Sequence, residues 1–153
     1  MYAGAVPLHE HSYPPKPPPR RILLIEDNRD AREIYRMMLE LEGHLVLEAG
    51  EGHRGLELLK TELPDVAVID LGLPGLDGYQ IASSFRREPT SNRVLLVAVT
   101  GHATPEARER SRAAGFDHHL IKPVDPEVLR ELLIQGPPAS SPGAPAADRH
   151  PLA

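Results

Sequence analysis

A short apolar run, Val66–Ile69, sets the strongest limit on the fold, because Asp70 and a turn rich in glycine and proline follow it at once. The run is too short for a helix and lacks the polar alternation of an exposed strand. It therefore predicts a parallel strand that is buried on both faces of a sheet. Asp70 would then lie at the carboxyl end of this strand, where open α/β sheets place their ligand sites.

Strand-type and helix-type segments alternate along the rest of the chain. Four further strands are predicted, a buried one at Ile22–Ile25 and others at His44–Ala49, Val94–Val99 and His118–Ile121. An amphipathic segment with helix-starting or helix-ending residues follows each strand. Five such repeats with short connections imply a parallel sheet that right-handed crossovers cover on both faces. We therefore expect an α/β fold, a doubly wound five-stranded parallel sheet of order 2-1-3-4-5 and of the flavodoxin-like (β/α)5 type.

Two of the predicted helices carry apolar stripes that we expect to face the sheet. In the helix after the first strand, the stripe consists of Ile34, Met37, Met38 and Leu41. In the last helix, it consists of Val128, Leu129, Leu132 and Leu133. Both stripes would contribute to the core that covers the sheet.

Prolines are concentrated at the two ends of the chain, in residues 1–19 and 136–153. These segments lack apolar periodicity, and a proline-rich composition of this kind is typical of disordered or polyproline-like chain. We therefore expect a disordered proline-rich tail at 1–19, a folded domain at 20–135 and a disordered Pro/Ala-rich tail at 136–153. The alternative for a tail is a proline-rich ligand that binds a groove of a partner protein.

Composition argues against several classes of function. The chain has no cysteine, which excludes disulfides, thiolate metal sites and a cysteine nucleophile. The formal net charge of −5 argues against a nucleic-acid partner, because domains that follow phosphates are usually basic. No apolar run approaches the roughly 20 residues that cross a bilayer, and the N-terminus has no signal-peptide core. We therefore expect a cytoplasmic protein whose partners are neither nucleic acids nor membranes.

Polar groups stand at the ends of four predicted strands. They are Glu26 and Asp27 after the first strand, Asp70 after the third, Thr100 after the fourth and Lys122 after the fifth. Parallel strands end at one edge of a sheet, and the expected order brings Glu26 and Asp27 beside Asp70. Taken singly, an acidic pair can simply favour a helix N-terminus, and a lone threonine or lysine can be incidental. The four strand ends taken together favour a functional site.

Three carboxylates at one edge of the sheet would repel one another. Two like charges ~4 Å apart cost roughly 4 kcal/mol at an effective dielectric constant of about 20. Lys122 can offset only one of these charges. A hard divalent cation would offset the rest, and Mg²⁺ suits a shallow site of carboxylates, a backbone carbonyl and retained water. We therefore expect Mg²⁺ as a cofactor.

These residues together resemble the receiver domain of two-component response regulators, of the chemotaxis-regulator type. The similarity covers about residues 20–135 and rests on four motifs in order, at Ile22–Asn28, Ile69–Gly78, Ala98–Gly101 and Gly115–Pro123. The last motif is more similar to receivers of hybrid sensor kinases than to receivers that are fused to DNA-binding domains.

The resemblance implies a role for each residue of the predicted site. Asp70 would be the phosphoacceptor for a phosphoryl group from a histidine kinase or a histidine phosphotransfer protein. Lys122 and Thr100 would contact the phosphoryl oxygens, and the Lys122–Pro123 bond would be cis. The ligands of Mg²⁺ would be Asp27, Asp70, the carbonyl of Gly72 and, through water, Glu26.

The same resemblance implies a switch with an output surface. Phosphorylation would draw Thr100 toward the phosphoryl group, and the ring of His119 would then rotate inward. The alternative is that His119 is a surface histidine without a switching role. The output surface would consist of the fourth helix, the fifth strand and the fifth helix. The fourth helix carries three basic residues, Arg108, Arg110 and Arg112. They would contact an acidic protein or a second copy of the receiver; the alternative is that they form only a solvated face.

The resemblance thus predicts a single-domain response regulator with an unknown downstream protein. Such a protein is not an enzyme, apart from slow self-dephosphorylation. One alternative is a phosphatase-type hydrolase with Asp70 as its nucleophile, but phosphatases of the haloacid-dehalogenase type need a second acid where this chain has Gly72. Another alternative is a degenerate receiver that never takes phosphate, against which the presence of Asp70, Thr100 and Lys122 argues.

Overall fold

The computed structural model describes residues 16–102 and 104–137 of the chain. Five parallel strands form one sheet in the order β2-β1-β3-β4-β5, which confirms the predicted topology. The strands are β1 (Arg21–Ile25), β2 (Leu45–Ala49), β3 (Val66–Asp70), β4 (Leu95–Thr100) and β5 (His118–Ile121). Most of the two predicted tails lies outside the described residues. Of the N-terminal one, residues 16–19 are described, and Pro17 is buried whereas its neighbours Lys16 and Pro18 are exposed.

Five helices alternate with the strands: α1 (Arg29–Leu41), α2 (Gly52–Glu62), α3 (Gly78–Phe85), α4 (Pro105–Ala114) and α5 (Pro126–Gln135). Their starts follow from local capping chemistry, because a side-chain oxygen accepts a free amide of the first turn. Asn28 caps α1 in this way, and Asp77 caps α3 in a reciprocal box with Gln80. Within the described part of the chain, none of the helices combines the length and the apolar character that a membrane span requires.

The sheet has a hydrophobic core on each face, because its central strands are buried on both sides. All five residues of β3 are buried, as predicted for the run that ends in Asp70. On one face, α2 and α3 pack through residues such as Leu59 and Phe85. On the other face, α1 and α5 pack through Leu39, Leu129 and Leu133. This arrangement leaves the carboxyl ends of the strands as the edge at which loops meet.

The apolar stripe predicted for α1 is wrong. Three of its four residues are exposed, with exposed fractions of 65% for Ile34, 55% for Met37 and 81% for Leu41. The helix instead buries Leu39 and packs Met38 and Tyr35 against the core. In the last helix, Val128 of the predicted stripe is likewise exposed, at 41%, whereas Leu129 and Leu133 are buried as expected.

Two arginines lie on the side of α1 that faces the sheet. Arg32 and Arg36 both pair with Glu48 on the edge strand β2, at 3.7 Å and 3.2 Å. Arg32 also donates to the carbonyl oxygen of Glu26 at 2.8 Å. The arginine side of the helix therefore lies toward the sheet. The helix has apolar residues on two sides, so its periodicity alone did not determine which side is buried.

Candidate functional site

Asp70 is the last residue of β3 and is buried. The turn that follows holds its carboxylate, because the amide of Gly72 donates to Asp70 Oδ1 at 2.8 Å. Helix α3 begins directly beside it at Gly78, where a Cβ atom would lie only 2.8 Å from the carbonyl oxygen of Asp70. Only glycine fits such a close approach of two backbone segments. The Gly/Pro turn that was recognised in the sequence therefore fixes this carboxylate at the edge of the sheet.

Glu26 and Asp27 lie next to Asp70, as predicted. They follow β1, which pairs in parallel with β3. One carboxylate oxygen from each of the three residues lies within 4.8 Å of the others. Glu26 is buried and Asp27 is exposed, so the cluster has a closed inner side and an open outer side. This set of hard oxygen donors fits a divalent cation such as Mg²⁺.

Lys122 brings a positive charge into this cluster from the end of β5. Its Nζ donates to Asp70 Oδ2 at 2.8 Å and to Glu26 Oε2 at 3.2 Å. The Lys122–Pro123 bond is cis, as expected. The amide of Lys122 also donates to the carbonyl oxygen of Thr100 at 2.7 Å, which ties the ends of β4 and β5 together. The ammonium group therefore stands between two acids that come from different strands.

The electrostatics of the cluster follow from burial and charge. Burial, followed by the charge of Asp70, raises the pKa of Glu26, and Lys122 only partly opposes this shift. Burial disfavours the charged form of Lys122, but its hydrogen bonds and its attraction to Asp70 and Glu26 outweigh this effect and raise its pKa. One lysine thus leaves the three acids with excess negative charge, which is the condition that favours a bound cation.

Thr100 is the last residue of β4 and is buried at the same edge. Its hydroxyl oxygen accepts the amide of His102 at 3.2 Å. His119 lies on β5, where its neighbour in the register is Ala98 of β4. The imidazole Nδ1 of His119 lies 2.9 Å from the hydroxyl oxygen of Ser111 on α4. His119 is therefore attached to the helix that follows Thr100.

Ser111 was not recognised in the sequence. It is buried, and its hydroxyl donates to the carbonyl oxygen of Arg108 at 2.9 Å, so it accepts the Nδ1–H of His119. Ser111 stands between arginines on a polar helix, where nothing in the sequence distinguishes it from a solvated residue. Of those arginines, Arg112 pairs with Glu109, and Arg110 lies over the ring of Tyr79, 4.0 Å from its centroid.

Comparison with known proteins decides the family. The sequence model of the response regulator receiver domain matches residues 22–134. The chain belongs to the response regulator receiver domain family. The match covers β1 except its first residue, all of the other four strands and all of α5 except its last residue, in agreement with the similarity that the four motifs indicate.

Relatives of this receiver include proteins of very different length. Protein PilH of Pseudomonas aeruginosa is 33% identical over 111 residues, which are 71% of this chain and 90% of PilH. The sensor histidine kinase CheAY of Helicobacter pylori is 36% identical over 110 residues, which are 71% of this chain but 14% of CheAY. The chain thus spans most of one relative and a small part of the other.

The solved structures that resemble this chain include receiver domains. A CheY-like receiver domain protein from Methanospirillum hungatei is 28% identical with a TM-score of 0.69, covering 77% of this chain and 93% of that protein. The receiver domain of the sensor histidine kinase PA1611 of Pseudomonas aeruginosa is 29% identical with a TM-score of 0.71, covering 77% and 97%. That receiver has a magnesium ion coordinated in its active-site cleft.

Proposed function

We propose that this chain is a response regulator receiver whose Asp70 accepts a phosphoryl group from a phosphorylated histidine of a kinase or phosphotransfer protein. The observation that carries the proposal is the position of Asp70, with Glu26 and Asp27 within 4.8 Å and the ammonium group of Lys122 at 2.8 Å. A buried carboxylate that is both held in place and surrounded by charge-stabilising groups suits phosphoryl transfer, in which positioning and electrostatics do most of the work.

The transfer would proceed by displacement at phosphorus. A carboxylate oxygen of Asp70 forms the new P–O bond while the P–N bond to the donor imidazole breaks, and the imidazole leaves with the bonding electron pair. The ammonium group of Lys122 would contact the phosphoryl oxygens, and the hydroxyl of Thr100 would donate a hydrogen bond to one of them. Gly72 would keep Asp70 in place through its amide, which lies 2.8 Å from Oδ1. The acyl phosphate would hydrolyse slowly.

Mg²⁺ would be held by Asp27, Asp70, the carbonyl of Gly72 and, through water, Glu26. When bound, the cation would neutralise charge on the phosphoryl oxygens. The chemistry of the donors supports this assignment, since all are oxygens and the cluster retains excess negative charge beside Lys122. The magnesium ion in the cleft of the PA1611 receiver supports it independently.

The histidine donor requires a protein surface next to the site. Helix α1 begins two residues after Asp27 and presents Ile34, Met37 and Leu41 to solvent. Exposed apolar residues that recur along one helix are typical of protein–protein contacts. We therefore assign this stripe to the partner that carries the phosphorylated histidine.

The output would arise from Thr100 and His119. Movement of Thr100 toward the phosphoryl group would change the surface formed by α4, β5 and α5. This surface carries Ile121 and Val128, each 41% exposed, and the exposed basic residues of α4. Such a mixed surface suits an acidic protein or a second copy of the receiver as the downstream partner.

Labelling with a small phosphodonor tests the proposal. Acetyl phosphate with Mg²⁺ should add one phosphoryl group to the wild-type chain, as measured by intact mass. Asp70→Asn should abolish the gain in mass, whereas Asp30→Asn, an exposed acid of the first turn of α1, should leave it unchanged. Equal labelling of Asp70→Asn and the wild type would refute the assignment of Asp70. Rapid multiple turnover of a phosphomonoester would favour the phosphatase alternative instead.

A further inference from the structure

A groove separates α1 from α5 on the face of the sheet that these two helices cover. It contains a cavity of about 50 Å³. One water molecule needs roughly 10–15 Å³, so the cavity has room for a small group. The apolar part of its wall includes Met38, Leu129 and Leu133, and the polar part includes Glu42 and His44. None of these residues belongs to the phosphoacceptor site.

Pro17 lines this groove and is buried in it. Lys16, Pro18 and Pro19 on either side of it are exposed. One buried ring between exposed neighbours is the pattern of an extended proline-rich segment that docks by a single side chain. The segment that precedes β1 therefore already contacts the domain at Pro17.

Arg20 follows Pro17 closely in the chain and forms hydrogen bonds to both walls of the groove. Its amide donates to Nδ1 of His44 at 3.0 Å. Its guanidinium group donates to the carbonyl oxygens of Leu133 and Ile134 at the end of α5, at 3.1 Å and 3.3 Å. These bonds use the free carbonyls of the last helical turn. The path of the chain at Pro17 is therefore fixed by contacts to both walls.

His44 supplies a buried hydrogen-bond donor that has no acceptor in the described part of the chain. The side chain is only 5% exposed, and burial lowers its pKa, so that it is neutral. Because Nδ1 accepts the amide of Arg20, the proton of the neutral imidazole is on Nε2. Nε2 is buried and has no hydrogen-bond partner among the described residues. Buried polar groups normally have a partner, so this N–H requires an acceptor that lies elsewhere.

We propose that the groove between α1 and α5 binds the chain's own proline-rich N-terminal segment, with Pro17 as its anchor and a backbone carbonyl of residues 1–15 as the acceptor for His44 Nε2–H. The described chain begins at Lys16, beside the groove, and the residues before it include Pro14 and Pro15. A polyproline-type segment has free carbonyls and few amides, which complements the buried N–H of His44. The inference is independent of the proposed phosphorylation.

A spin label tests the position of the segment in the full chain. The protein has no cysteine, so Ser12→Cys gives a single site for a nitroxide label. We expect the label to broaden the amide signals of Met38, His44 and Arg130 several-fold more than those of the opposite face of the sheet. Pro17→Ala in the labelled chain should abolish this difference, whereas Pro18→Ala should preserve it. Equal broadening on both faces would overturn the proposal.

The hydrogen bond has its own readout. The Nε2 proton of His44 should give a slowly exchanging NMR signal that shifts in Pro17→Ala and is unchanged in Pro18→Ala. If solvent water in the cavity were the acceptor instead, the signal would be the same in both variants, and this outcome would also overturn the proposal. Each variant loses one proline, so a difference between their signals reports on the burial of Pro17 alone.

Discussion

Lys122 Nζ lies 2.8 Å from Asp70 Oδ2, although the two residues come from strands that are not neighbours in the sheet. β4 stands between β3 and β5, and the lysine side chain crosses its end. The same ammonium group lies 3.2 Å from Glu26 Oε2. One side chain thus links the ends of three strands, β1, β3 and β5, at the point where the phosphoryl group is proposed to be bound.

We expect Lys122→Met to slow phosphorylation of Asp70. The variant lacks the only ammonium group that the structure places on this carboxylate within the described residues. Loss of one preorganised charge-stabilising donor costs roughly 10²–10³-fold in rate in enzyme active sites, and we expect a decrease of that order. The initial rate of labelling by acetyl phosphate measures it. Lys60→Met, which removes an exposed lysine that pairs with Glu88, is the control and should label at the wild-type rate.

We expect Asp27→Ala to weaken Mg²⁺ binding at least tenfold, because it removes the exposed acid on the open side of the carboxylate cluster. A magnesium titration that follows the amide signal of Gly72 measures the affinity, since this amide is bonded to Asp70. Asp30→Ala changes the net charge equally but lies outside the cluster. Identical affinities for the two variants would contradict the metal assignment.

The fold was predictable from the sequence because its signals are local. The apolar runs at Ile22–Ile25 and Val66–Ile69 are buried strands, and capping residues such as Asn28 stand at the starts of helices. The proximity of Glu26, Asp27 and Asp70 followed from the strand order alone. Connectivity of parallel strands places their ends at one edge, and short turns leave little freedom there.

The rotation of α1 was not predictable in the same way. Ile34, Met37 and Leu41 form an ideal stripe, but in the fold α1 packs its other side, with Leu39, on the core and leaves the stripe in solvent. Tertiary contacts of this kind have no local signal. Ser111 was missed for the same reason, since its role depends on a contact with a different element, β5.

The corrected orientation of α1 predicts unequal effects for two leucines on the same helix. Leu39→Ala should reduce the free energy of unfolding by about 2–5 kcal/mol, because Leu39 is 2% exposed and its loss leaves a cavity. Leu41→Ala should change it by no more than about 0.5 kcal/mol, because Leu41 is 81% exposed. Urea unfolding measures both values. A comparable loss for Leu41→Ala would mean that its side chain is buried in solution.

The contact between His119 and Ser111 predicts a pH dependence. Burial, followed by the charge of Arg108, lowers the pKa of His119 below its ordinary value of 6.5. At pH values between the lowered pKa and 6.5, His119 is protonated in the unfolded chain but not in the folded chain. The contribution of His119 to stability is therefore fully present above pH 6.5 and decreases as the pH falls below it.

The side-chain titration of His119, followed by NMR, should have its midpoint below 6.5 in the wild type. Ser111→Ala should lower the midpoint further, because it removes an acceptor for Nδ1–H that stabilises the charged ring. The same variant should lose about 1–3 kcal/mol of stability, since Nδ1–H is left without its partner. Ser83→Ala, which removes an exposed serine of α3 that also donates to its own helix, is the matched control. If both variants titrate alike, the serine of α4 does not hold the ring, and the proposed role of His119 in the output loses its support.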